Sequence, residues 1–198
     1  MMVLFVTVLS ISVYMLSQKG ASLIEKMTFL QEYQRNRFIS AVDPFYDRYN
    51  TGFQLIKGLT SIAIGGWFGR GFGQSINKYS QFPAANTDYI LAILIEELGY
   101  IGFLLLMVLY GIIIFRILSY ALLIKSEKAK VVLVGTASYL LIHMLLNIGG
   151  VTGMIPLTGV PLLMISAGGS STMAFMMSLG LCQAIISAFN TSRFYCKT

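Results

Sequence analysis

One carboxylate, Asp88, stands in the polar run Pro83-Ala84-Ala85-Asn86-Thr87-Asp88-Tyr89, where it meets a long apolar stretch. A charge at the edge of a membrane span is costly and calls for a function. Glu96 and Glu97 follow within the same stretch. If a helix begins near Asp88, then Ala92 and Glu96 share its face at i+4 and i+8. The rise from Asp88 to Glu96 would be roughly 12 Å. Paired carboxylates in glycoside hydrolysis stand roughly 5–9.5 Å apart, so this spacing disfavours a hydrolytic pair. One base suits a glycosyl transfer in which an acceptor hydroxyl gives up its proton. A diphosphate leaving group then needs positive charge more than it needs an acid. Two plainer readings stand beside this one. Asp88 would serve equally as a helix cap, and Glu96 and Glu97 as polar packing within a bundle.

Thr136, Tyr139, His143 and Asn147 recur at 3-4-4 spacing and share one helix face. In lipid that face turns inward, either for interhelical hydrogen bonds or as the wall of a substrate cavity or proton path. No Ser or Cys is placed to form a nucleophilic triad with His143. The Gly168-Gly169-Ser170-Ser171 run permits close helix packing or lines a cavity. Gly65–Gly73 resembles a phosphate loop only superficially, because no βαβ unit surrounds it. Cys182 and Cys196 lie in unlike settings and read as unpaired thiols, and one His cannot build a zinc site, so no metal site is expected.

The elements that must position these groups are set by hydropathy. The chain of 198 residues is 56% hydrophobic and 11% charged, with a mean hydropathy of +0.75. Soluble domains carry about 25% charged residues, so this is an all-α, polytopic membrane helix bundle. The net charge of +6 comes from basic residues scattered between apolar stretches. It points to the membrane surface and anionic headgroups, and no nucleic-acid partner is expected. About four spans are expected, at 1–17, 89–124, 131–148 and 161–190. The short basic loop 125–130 is expected in the cytoplasm, and the uncharged loop 149–160 outside. That places the tail 191–198 in the cytoplasm and the loop 18–88 outside. Loops longer than about 60 residues escape the charge rule, so the lysines and arginines of 18–88 do not contradict this. Within that loop, 51–68 reads as an amphipathic helix at the membrane face, with Phe53, Ile56, Leu59, Ala63 and Trp67 as its apolar stripe. Arg116, near the end of its span, is expected to snorkel.

Several short motifs follow one another in order: Asp43-Pro44, Gly52-Phe53-Gln54, the Gly65–Gly71 run, Pro83–Asp88 and Glu96-Glu97-Leu98-Gly99. Asn147–Gly150, Pro156–Pro161 and Ser166–Ser171 complete the series. It resembles the SEDS family (shape, elongation, division and sporulation proteins), which includes FtsW, RodA and SpoVE. The Gly168–Ser171 ending is similar to the FtsW and SpoVE branch. The resemblance implies a ten-helix fold in the bacterial cytoplasmic membrane, of which these spans match the last four. It implies a peptidoglycan glycosyltransferase that polymerises lipid II, partnered by a class B penicillin-binding protein and by division or elongation components. Asp88 falls on the family's essential aspartate and is the expected catalytic base. Lys57, Arg70 and Lys78 are candidates to steady the diphosphate. Glu96, Glu97, His143, Asn147, Ser170 and Ser171 are candidates to contact substrate. No cofactor is evident, and a divalent cation is compatible with the chemistry. Ala84 and Asn86 depart from the family's usual Glu and His, as Leu163 and Ala167 depart from its usual Pro and aromatic. The chain reads as a fragment, a truncated product or one half of a split protein. A lipid II flippase and an inactive scaffold are the alternative functions.

Overall fold

The computed structural model describes residues 37, 39–45, 51–79 and 87–195, and its elements are all helical. The span expected at 1–17, residues 83–86 of the Asp88 run and the end of the tail lie outside the described residues. The helices are α1 (Thr51–Gly65), α2 (Ile76–Tyr79), α3 (Ile90–Leu123), α4 (Glu127–Val151) and α5 (Gly169–Tyr195). Among the described residues α3, α4 and α5 are long and apolar enough to cross a bilayer. The chain is a multi-pass membrane protein.

Helices α3 and α4 form an antiparallel hairpin, and α5 packs against α4. At the Lys125 end, Ile117, Ala121 and Ile124 meet Leu133, Ala137 and Cys182. The expected 125–130 loop is shorter in the structure, because Glu127–Lys130 join α4. Glu, Lys and Ala all favour helix. Glu127 sits at the positive end of the helix dipole, 3.3 Å from Lys130.

The other end is irregular, and its irregularity begins inside α3. At 34 residues α3 would rise roughly 51 Å if straight, far beyond the roughly 30 Å hydrocarbon core. Gly99 breaks it with φ 70° and ψ −172°. A side chain at that φ would be strained, so the position needs glycine. The break is a true bend. Asp88 and Tyr110 both reach the short segment 160–163, Asp88 through Asn147 and Tyr110 directly to Leu163 O. A straight helix would hold them roughly 33 Å apart. Burial changes at the same point. Leu91, Ala92, Ile93, Ile95, Glu96 and Glu97 are buried, whereas Ile101, Leu104, Leu105, Val108 and Leu109 turn outward.

A break in a helix frees backbone donors and acceptors that must be paired. Here the Gly65–Gly71 run pairs them. Arg70 N donates to Glu96 O (3.0 Å) and Gly71 N to Glu97 O (3.0 Å). In return Tyr100 N donates to Gly66 O (2.9 Å) and Ile101 N to Trp67 O (3.3 Å). The two backbones touch so closely that a Cβ at Gly99 would lie 2.4 Å from Trp67 O, and one at Gly69 2.2 Å from Glu97 O. Two motifs far apart in sequence are thus one backbone clasp.

Helix α1 meets the protein through its small residues. Gly52, Leu55, Gly58, Ser61 and Gly65 are its buried positions, and a Cβ on Gly58 would run into the Tyr89 ring at 2.6 Å. Leu59, Ala63 and Trp67, part of the stripe expected at the membrane face, are exposed. Small residues let α1 lie tightly on α3, and that contact wins over side-chain volume. The helix ends at Gly65, short of the expected 68. The span expected from 161 also starts later, at Gly169. Pro161 lacks an N–H, Gly168 and Gly169 are poor helix formers, and Met164 sits at φ 72°.

Candidate functional site

The non-helical segment 156–168 leaves carbonyls that no helix satisfies, and four side chains from other elements reach them. Arg37 Nη1 donates to Leu157 O at 2.7 Å. Asn147 Nδ2 donates to Val160 O at 2.9 Å. His143 Nδ1 lies 3.4 Å from Pro161 O, and Tyr110 donates its hydroxyl to Leu163 O. Irregular backbone within a membrane protein persists only where its polar groups are met in this way. Residues 157–163 form a strap laid across the end of the bundle.

Asp88 is fastened to that strap. The same Asn147 Nδ2 that holds Val160 O also donates to Asp88 O at 3.0 Å. Both amide hydrogens of this 2%-exposed side chain are thereby used on backbone. Its Oδ1 is buried and has no hydrogen-bond partner among the described residues. Gly159, at φ 69°, lies close to two opposite charges. A Cβ there would stand 3.5 Å from Arg37 Nη1 and 3.6 Å from Asp88 Oδ2. The Asp88 carboxylate itself is half-buried. Helix α3 has Tyr89 as its N-cap residue with no side-chain cap bond, so Asp88 does not serve as that cap. Burial pushes the Tyr89 phenol well above its ordinary range; the neighbouring Asp88 charge adds to this and Arg37 opposes it.

The other candidates divide into two groups. Asn147 and His143 come to the strap. Their polar atoms engage backbone, which makes them anchors of the Asp88 segment, whereas the sequence reading made them substrate contacts. Tyr139 stacks on His143 with centroids 4.4 Å apart, and Thr136 Oγ1 bonds within its own helix to Val132 O. Glu96 is fully buried and plays a structural part. Its carboxylate accepts from Ser75 Oγ (2.9 Å), Ile76 N (2.8 Å) and the backbone N and Nδ2 of Asn77 (both 3.4 Å), holding α2 in place. Glu97 is buried beside it. Lys57 Nζ is 3.4 Å from Asn77 Oδ1 and 5.6 Å from the Phe53 ring centre. Arg70 is exposed beyond the clasp, and the Lys78 side chain lies outside the described residues. Ser170 is exposed and Ser171 half-buried in the first turn of α5. Among the described residues no group of three or more His, Cys, Asp or Glu stands together. They form no preassembled cage for a divalent cation.

Arg37 was missed in sequence. It lies in the polar run Gln31–Arg37, where its type and spacing do not separate it from Arg35. Only the fold carries it to Asp88.

The protein is an all-helical membrane bundle in which a carboxylate and a guanidinium from other parts of the chain are held at one strap. The comparisons with known proteins make that description specific. The cell cycle protein family FTSW_RODA_SPOVE matches residues 1–191, and the chain belongs to that family. It is 40% identical to Stage V sporulation protein E of Bacillus subtilis over 149 residues, 75% of this chain and 41% of the relative. It is 39% identical over 153 residues to the probable peptidoglycan glycosyltransferase FtsW of Lactococcus lactis, 77% of this chain and 36% of the relative. The peptidoglycan glycosyltransferase RodA of Mycobacterium bovis matches at 39% identity, over 77% of this chain and 32% of the relative. Among solved structures, a chain of a peptidoglycan synthase complex coordinating polymerization and crosslinking superposes with a TM-score of 0.61. The identity there is 27%, with 87% of this chain and 51% of the other covered. The chain spans well under half the length of these curated relatives.

Proposed function

We propose that this chain carries the base-bearing part of a peptidoglycan glycosyltransferase that polymerises lipid II on the outer side of the bacterial cytoplasmic membrane. Its relatives named FtsW and RodA are glycosyltransferases by name. The observation that carries the reading is the fastening of Asp88 to the strap by Asn147. A general base must be held within hydrogen-bond reach of the proton it takes, and a fixed backbone achieves this.

In the reaction the acceptor sugar hydroxyl gives its proton to Asp88. The hydroxyl oxygen bonds to the donor's anomeric carbon, and the bond from that carbon to the lipid diphosphate breaks. The diphosphate departs as an anion and needs no proton from the enzyme. The complete cavity requires the half of the fold that the longer relatives carry, together with a class B penicillin-binding protein. The tail after α5 lies in the cytoplasm. The test is polymerisation of lipid II by the full-length protein with its partner, wild type against Asp88→Asn. Loss of glycan product with a folded protein is expected. Unchanged product would sink the assignment.

A further inference from the structure

We infer that Arg37 is the diphosphate-binding residue of this site, an inference that rests on the glycosyl-transfer reading and extends it to the donor substrate. Three observations converge. Arg37 Nη1 is fixed by its 2.7 Å bond to Leu157 O. Its Nη1 and the Asp88 carboxylate both approach Gly159. It also lines a small cleft whose walls include Ser40, Gln54, Leu55, Tyr89 and Leu157.

The chemistry requires a cation here. A carboxylate base repels a polyanionic donor, and the repulsion grows as the site loses water. A guanidinium beside it lowers that repulsion and offers a planar fork matched to phosphate oxygens. It also receives the charge that develops as the anomeric carbon–oxygen bond breaks. Among the described cations of the outer loop, Lys57 is turned to Asn77 and the Arg70 side chain is exposed.

The test measures binding and turnover separately, in the full-length protein in detergent micelles. The binding probes are a polyprenyl diphosphate, the polyprenyl monophosphate and the uncharged polyprenol. Arg37→Gln should weaken diphosphate binding about tenfold or more, monophosphate binding less, and polyprenol binding not at all. Arg37→Lys should recover most of the binding while losing turnover, since it keeps the charge and loses the fork. Asp88→Asn should bind the diphosphate at least as well as wild type while making no glycan. Equal diphosphate binding by wild type and Arg37→Gln overturns the inference, and equal weakening of all three probes overturns it as a merely structural effect. If Arg37→Gln does not fold, Arg37→Lys decides: diphosphate selectivity matching wild type with lowered turnover supports the role, and lost affinity for all three probes overturns it. The underlying reading fails separately, if Asp88→Asn polymerises as wild type does.

Discussion

The two ends of this bundle are built on opposite principles. At the Lys125 end, helices run to their tips, the connection between α3 and α4 is short, and a cluster of aliphatic side chains with Cys182 does the packing. At the Asp88 end the helices break. Backbone meets backbone in the clasp between 66–71 and 96–101, and polar side chains hold the strap. Non-directional packing tolerates substitution, because any apolar group of similar size restores most of it. Hydrogen-bonded backbone does not, because removing one partner leaves the other buried and unpaired. The chemistry proposed for Asp88 belongs to the end that fixes atoms by direction.

That contrast can be broken most sharply at Asp88 itself. Asp88→Asn in the full-length protein should lower the polymerisation rate by about 10²- to 10⁴-fold, the usual contribution of a general base. Its melting temperature in detergent should stay near wild type. Next comes the clasp. Gly99→Ala should destabilise by about 3 kcal/mol or more, from strained φ and a 2.4 Å approach to backbone. On the same helix a Cβ at Gly111 would meet nothing within 4 Å. Gly111→Ala should therefore be neutral or stabilising by up to about 1 kcal/mol. Thermal unfolding of the two variants side by side checks the opposite signs; two equal losses would refute the clasp.

Asn147→Ala removes two hydrogen bonds and leaves two carbonyls unmet, a cost of about 2–4 kcal/mol. It should lower kcat about tenfold or more with a smaller change in KM for lipid II, since it acts through the position of Asp88. A fall in stability with kcat intact would make Asn147 a packing residue only. The smallest effect is expected at the opposite end. Glu127→Gln removes one exposed ion pair and one dipole contact, worth about 0.5 kcal/mol or less, and should leave turnover unchanged.

Much of the fold was legible because hydropathy is additive along a chain. Apolar stretches of sufficient length gave the three helices that the described residues contain, and the ordered motifs gave the family. In α1 the large apolar residues Leu59, Ala63 and Trp67 were expected at the membrane face and are exposed, while the face that meets the protein is made of glycines and Ser61. Periodicity weighs side-chain volume, so it does not reveal a face that packs through small residues. The fourth span was extended back over Pro161–Gly168 because apolar composition alone does not reveal that Leu157, Val160, Pro161 and Leu163 have carbonyls met from elsewhere. Asn147 and His143 were correctly placed on one face, but their partners, backbone atoms of distant residues, carry no signal in residue type.

The sequence by itself determined that this chain lives in a membrane, that it is helical, and that Asp88 is the carboxylate with a position worth explaining. Those are properties of composition, local order and motif, and each can be read without knowing what touches what. Tertiary structure alone decided that the glycine run and Gly99 are one clasp, that Asn147 ties Asp88 to Val160, and that Arg37 reaches the same strap from 120 residues before Leu157. These facts depend on direction and distance between residues far apart in sequence, and a hydrogen bond to a backbone carbonyl is indifferent to which residue owns it.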